Sequence, residues 1–142
     1  MKPYVKIAMF VVFFIALAGI LVALYMFNMQ HKDLLKVKPD FVMTAIDLQK
    51  EFEDDEIAAT SQYVKKIIEV SGTIQSVKPG EDKTLSISLK TGSDLSSVIC
   101  TFQSVSDPSE FKTGDQITLR GECSGFLMDV LLNNCSVVQG EK

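Results

Sequence analysis

The chain has 142 residues, with 14 Lys+Arg against 18 Asp+Glu, one His, three Cys and no Trp. That length accommodates one ordinary domain and leaves little room for an elaborate active site. A net charge of −4 and a pI near 4.9 argue against a broad basic surface that clamps phosphates. A single His excludes a His-rich metal centre.

Mean hydropathy is +0.20 although 23% of residues are charged. The excess has one source. Residues 7–27 contain no charged side chain, and 21 residues at about 1.5 Å each span roughly 31 Å, the thickness of a hydrocarbon core. Lys2 and Lys6 precede the run, Tyr4 and Tyr25 lie near its ends, and Gln30, His31, Lys32 and Asp33 follow it. Ala16-Leu17-Ala18 before Gly19 has the small-x-small form that a signal peptidase reads, but the apolar run continues to Phe27. The length predicts an uncleaved single-pass anchor over residues 1–29. Leu17-Ala18-Gly19 also has the form of a lipoprotein box, in which the next residue is the lipid-bearing Cys. Here it is Ile20, so no thioether forms at this point. The lysines on the two sides, Lys2 and Lys6 against Lys32, Lys36 and Lys38, leave the orientation undecided by charge.

Residues 30–43 read as a juxtamembrane linker, basic and ended by Pro39, whose ordinary role is a solvated spacer and whose alternative is contact with anionic head groups. From residue 28 onward 12 Lys/Arg face 18 Asp/Glu, a formal charge of −6. Thr44 followed by Asp47 predicts a helix start. Residues 44–63 lack Gly and Pro, and Ala45, Leu48, Phe52, Ala59 and Tyr63 form one apolar stripe of a single long helix. The acidic group Glu51, Glu53, Asp54, Asp55 and Glu56 lacks the Gly-turned spacing of a calcium loop and reads as a solvated face.

The period then changes from helical to two. Ile68, Val70, Gly72 and Ile74 share one parity, and Gly72 in mid-strand predicts a bulge or bend. Leu85, Ile87 and Leu89 form a second strand, and Val98, Cys100 and Phe102 a third. Ser106 to Glu110, with Pro108, reads as a loop or helix start. Ile117, Leu119, Gly121 and Cys123 form the fourth strand and residues 130–138 the fifth, its parity interrupted by Asn133 and Asn134. Five short strands with a bent first strand predict a mainly β domain over residues 44–142, a Greek-key OB-fold barrel preceded by one transmembrane helix. Closure removes the exposed edges, and an SH3-like barrel satisfies the same pattern.

Three stretches together carry a resemblance. They are residues 52–74 (FEDDEIAATSQYVKKIIEVSGTI), 98–102 (VICTF) and 111–137 (FKTGDQITLRGECSGFLMDVLLNNCSV). They resemble the tRNA-anticodon-binding-like OB-fold family of small bacterial lipoproteins and membrane-anchored proteins, over about residues 44–138. The Lys-x-Gly-Asp turn at Lys112 is common to many OB-folds. The ordered set of Gly121-Glu122-Cys123-Ser124-Gly125, Asp129-Val130 and Asn134-Cys135 is more specific. Tyr63-Val64-Lys65-Lys66 departs from the Tyr-Lys-Gly-Lys form of the family, and Ile20 departs from its lipidated members. The resemblance implies the fold and an export-type anchor, hence a domain outside the cytoplasm. The family name records likeness to nucleic-acid binders.

Chemistry-bearing residues are few. Cys100, Cys123 and Cys135 fall on strands, where buried Cys behaves as a small hydrophobe. An exported compartment favours one bridge, Cys123 with Cys135, whereas a plain hairpin register does not place them opposite each other. Without C-x-x-C spacing no zinc site is expected, and no cofactor. A catalytic His31 has only Asp33 and Asp40 near it, so no enzyme is expected. Nucleic-acid binding requires exposed aromatics in a positive groove, and its candidates are Lys65, Lys66, Lys78, Lys83, Lys90 and Arg120, with Phe111 and Phe126 near loops. OB-folds bind through the second and third strands and flanking loops, here residues 85–102, 78–82 and 124–129. Phe126, Leu127 and Met128 place three large apolar residues between two strands, either a binding loop or a flap over the barrel end. The expected function is a membrane-anchored, non-enzymatic OB-fold module for a protein or oligosaccharide partner at the cell envelope. The alternative partner is single-stranded nucleic acid.

Overall fold

The computed structural model describes residues 2–28, 34–105 and 107–138. Gln30, His31, Lys32, Asp33 and Ser106, singled out above, lie outside them. The chain divides into two units, residues 1–32 and 33–142.

The described residues of the first unit form one helix, α1 (Pro3–Asn28). Proline is well placed at its first position, where no intrahelical N–H partner is lost. Apolar side chains surround it on every side and none is buried. A helix apolar all round needs an apolar environment, and this one is long and apolar enough to cross a membrane. A signal segment has the same properties.

The second unit opens with a 3-10 turn, Leu34–Lys36, whose Leu34 is buried. Strand β1 (Phe41–Thr44) follows and was not read from the sequence, which placed Phe41, Val42 and Met43 at the end of a linker. It pairs in parallel with β2 (Ile67–Pro79), Phe41 opposite Ile68 and Thr44 opposite Ser71. A four-residue strand carries too little alternation to announce itself; the neighbour supplies the ladder.

The expected helix start is present. Thr44 Oγ1 accepts the Asp47 N–H at 3.1 Å, capping α2 (Ala45–Asp54). The expected single helix is in fact two, because Asp55 leaves the helical conformation and its side chain accepts the Ala58 N–H to cap α3 (Glu56–Tyr63). Aspartate favours that role, and the Glu after it suits a first turn. The stripe of Ala45, Leu48, Phe52, Ala59 and Tyr63 is buried across the break.

The remaining strands are β3 (Leu85–Lys90), β4 (Ser97–Phe102), β5 (Gln116–Leu127) and β6 (Asp129–Val137). The sheet order is β1-β2-β3-β4-β6-β5, and β5 returns to β2, which closes a five-stranded barrel with β1 as a sixth strand. All barrel pairs are antiparallel except β4 with β6, where Val98 to Cys100 run alongside Val130 to Leu132. This is the OB-fold connectivity. Strand β2 serves two neighbours. Ile67 to Thr73 pair with β5, and from Ile74 onward the strand pairs with β3. Its irregularity lies between Ile74 and Ser76, not at Gly72 as the sequence suggested. Gly72 answers a different demand, since a Cβ there would lie 3.1 Å from the Ala45 Cβ, where α2 begins its pass over the barrel.

Ile68, Val70, Leu85, Ile87, Leu89, Val98, Leu119, Val130 and Leu132 fill the interior at zero exposure. Helix α2 touches β1, β2, β3, β4 and β6, so it covers one end of the barrel. The uncertain parity of the last strand has its cause in a bulge. Asn134 is left-handed (φ 53°), and the register slips opposite Gly121.

Candidate functional site

The barrel end under α2 is built from three segments. The first is the hairpin that the sequence marked as a loop. Residues Phe126 and Leu127 belong to β5 and Asp129 to β6, with the reversal confined to Met128 at φ 67°. Gly125 (φ 148°) sits at a register shift just before. The shift aims Phe126 at α2, where its ring stacks on Phe52 with centroids 5.4 Å apart. Leu127 and Met128 project outward, 78% and 72% exposed. So one of the three candidate residues closes the barrel and two face solvent.

The second segment is the β3–β4 connection, which brings Leu95, 85% exposed, to the same end. The third is the acidic stretch around the α2–α3 break. Together they line a groove of roughly 700 Å³, with Leu95, Leu127 and Met128 on its apolar sides and Glu53 and Glu56 on its polar side. Clefts of this size hold ligands in many proteins.

Hydrogen bonds hold the groove in shape. Asp129 Oδ1 accepts from the Ser97 N–H at 2.6 Å and the Ser97 hydroxyl at 2.9 Å, tying the hairpin to β4. Gln49 Nε2 donates to Glu53 Oε1 at 3.0 Å and to the Met128 carbonyl at 3.3 Å, and the Ser96 hydroxyl donates to the same Glu53 oxygen at 3.1 Å. Gln49 is 2% exposed and its Oε1 has no partner among the described residues. Sequence reasoning missed Leu95, Gln49, Ser96 and Glu53 as one group. The only local signals were a lone Leu in a polar turn and a Gln beside an apolar stripe.

The cations named from the sequence are distributed. Lys65 (φ 65°) and Lys66 stand at the corner before β2, where the Lys65 N–H donates to the Cys123 carbonyl. Lys78 stands next to last in β2, and Lys83 lies in the β2–β3 turn. Along β2 that separation is about 12 residues at ~3.3 Å each, so the two lysine pairs belong to different ends of the strand. Arg120 is half-buried. Its guanidinium pairs with Glu69 and donates to the carbonyls of Leu34, Leu35 and Val37, which ties the segment before β1 to the barrel.

All six aromatic residues of the second unit contact another ring: Phe41 with Tyr63, Tyr63 and Phe126 with Phe52, and Phe102 with Phe111. The outward residues of β3 and β4 are Ser86, Ser88 and Lys90, with Ser97, Ile99 and Thr101, so the face on which OB-folds ordinarily seat a ligand offers no ring.

Cys100, Cys123 and Cys135 are buried free thiols. The bridge weighed for Cys123 and Cys135 is not formed, since Cys123 stands opposite Leu132 and the Cys135 thiol donates to the Leu132 carbonyl at 3.4 Å. Cys135 adjoins Cys100 instead; its thiol and burial hold the Cys100 thiol well above the usual range, and burial raises Cys123. Among the described residues no group of three His, Cys, Asp or Glu is placed to hold a metal ion.

Fold and site define a small OB-fold domain following an apolar helix. The sequence model of the tRNA_anti-like family matches residues 1–137, and the chain belongs to that family. No curated protein matches it. Among solved structures it is similar to a "putative nucleic acid-binding lipoprotein" from Klebsiella pneumoniae subsp. pneumoniae, at 18% identity and a TM-score of 0.53, over 68% of this chain and 91% of that one. It also matches a "putative aspartyl-tRNA synthetase" from Leishmania major Friedlin at 13% identity and a TM-score of 0.45, over 75% of this chain and 22% of that one. The first likeness concerns the fold.

Proposed function

We propose that this protein is a membrane-anchored, non-enzymatic binding module, with residues 1–29 as anchor, 30–43 as linker and 44–142 as the domain that engages a protein or oligosaccharide partner outside the cytoplasm. The observation that carries the reading is the apolar groove at the α2 end of an OB-fold whose aromatic rings are all engaged with one another. Exposed apolar side chains gathered in one place mark an interaction site rather than ordinary surface.

Single-stranded nucleic acid is the second reading, favoured by the name of the Klebsiella structure. Three features oppose it in this chain. The region after the helix carries −6, Arg120 is engaged by Glu69 and carbonyls, and each aromatic ring of the second unit packs against another ring rather than standing alone as a platform for a base.

Titrating the full chain in detergent with labelled oligothymidylate at low and moderate salt separates the two. A phosphate-driven complex forms at low salt and weakens steeply. The expected result is no retention at either salt. Retention with a steep salt slope, lost in Lys65→Ala with Lys66→Ala, would transfer the function to nucleic acid.

A further inference from the structure

We infer that the groove between the β5–β6 hairpin, the β3–β4 turn and the α2–α3 break receives a polypeptide segment bearing aliphatic side chains flanked by lysine or arginine. This rests on the binding-module reading and names the partner's chemistry. The apolar part follows from Leu95, Leu127 and Met128, all more than two-thirds exposed and gathered around one groove. Aliphatic anchors fit such a surface, and a flexible thioether adapts to their shape. The basic part follows from charge. Glu53 and Glu56 line the groove, Asp54 and Asp55 adjoin them in sequence, and Asp94 adjoins Leu95.

The same charge disfavours the other occupants. An anionic lipid surface and a nucleic-acid backbone are both repelled by this rim. A second copy docked groove to groove would bring two acidic rims together, and like charges across an interface suppress pairing. The groove also arrives preformed. Gln49, Ser96 and Glu53 lock the α2 side to the Met128 carbonyl, and Asp129 locks the hairpin to Ser97, so little ordering is required on binding.

The test uses the full chain in phosphatidylcholine nanodiscs and a fluorescein-labelled short peptide of alternating Leu and Lys, followed by anisotropy. Wild type binds it, and Leu95→Ser with Leu127→Ser weakens binding by about tenfold or more without changing any charge. Both positions are exposed, so the variant keeps the wild-type melting curve. Glu56→Gln weakens binding by a few-fold and flattens its salt dependence, as loss of a rim charge does. A peptide with Glu in place of Lys does not bind.

No binding by wild type, equal binding by the double Ser variant, or equal binding of the Glu peptide overturns the inference. So does a dimer that forms in the wild type and excludes the peptide. These results leave the binding-module reading standing. Oligothymidylate retained with a steep salt slope and indifferent to the Ser substitutions removes that reading itself.

Discussion

Arg120 shows how one residue changes meaning between sequence and structure. In the sequence it is a cation among candidate phosphate contacts; in the fold its side chain is 13% exposed and makes bonds to Glu69 and three carbonyls. A planar fork matches that set of acceptors, whereas an ammonium does not. Arg120→Ala should therefore lower stability by about 1–3 kcal/mol through unpaired groups, and Arg120→Lys should recover little of it, as read by denaturant melts. The thiols give a second expectation. Cys100 is raised in the fold by the neighbouring Cys135 thiol and by burial, and Cys123 by burial. Their stabilisation is complete below the ordinary thiol pKa, about 8.5, and is lost as pH rises through the folded values. The melting temperature should fall above that pH, and less steeply in Cys123→Ala compared with its own neutral-pH value. At neutral pH the three thiols should resist alkylation until guanidinium unfolds the domain.

At the scale of elements, the β5–β6 pair depends on a glycine whose role the alternation pattern does not explain. A Cβ on Gly121 would lie 2.5 Å from the Cys135 Sγ and 3.2 Å from both the Asn133 carbonyl and the Leu132 Cβ. The bulge at Asn134 presses that side of β6 against β5, and only a hydrogen fits. Gly121→Ala should cost about 1–3 kcal/mol, the range for overpacking; Cys135→Ala in the same background should recover part of that cost by removing the closest contact, and Cys135→Ser less, while the 3.2 Å backbone contact remains in both. Calorimetric melts of the three variants decide it. The helix break at Asp55 belongs to the same scale. Thr44 as a cap and the stripe of Ala45, Leu48, Phe52, Ala59 and Tyr63 were legible, since both are local in sequence. The break was not, because an Asp caps a helix or sits within one depending on what the flanking turns pack against.

For the molecule as a whole, the outcome to measure first is membrane attachment. An α1 of 26 residues, apolar on all sides, is expected to keep the full-length chain in the pellet after alkaline carbonate extraction. Full-length protein in the supernatant contradicts the anchor, and a shortened soluble product identifies a cleaved signal. A phosphatase fusion at the C-terminus reports sidedness, and activity outside the cytoplasm is expected. The barrel itself was readable as a whole. The period-two runs at Ile68, Leu85, Val98, Ile117 and Val130 became its five strands, and the quoted stretches pointed to the family that the match over residues 1–137 shows.

What the amino-acid sequence determined by itself is what depends on near neighbours: the apolar span, the capping Thr44, the switch from helical to alternating period, and the strand interiors. These follow from periodicity and composition within a few turns or one strand. The tertiary structure decided whatever depends on residues far apart in the chain. It made a strand of Phe41 to Thr44 because β2 offered an edge, and it set Cys135 beside Cys100 rather than Cys123 through the β6 bulge. It engaged Arg120 with residues more than eighty positions away. It also gathered Glu53, Leu95 and Leu127 around one groove, which no spacing in the sequence encodes, because barrel closure together with the packing of α2 over its end brings the end of α2, the β3–β4 connection and the β5–β6 hairpin together.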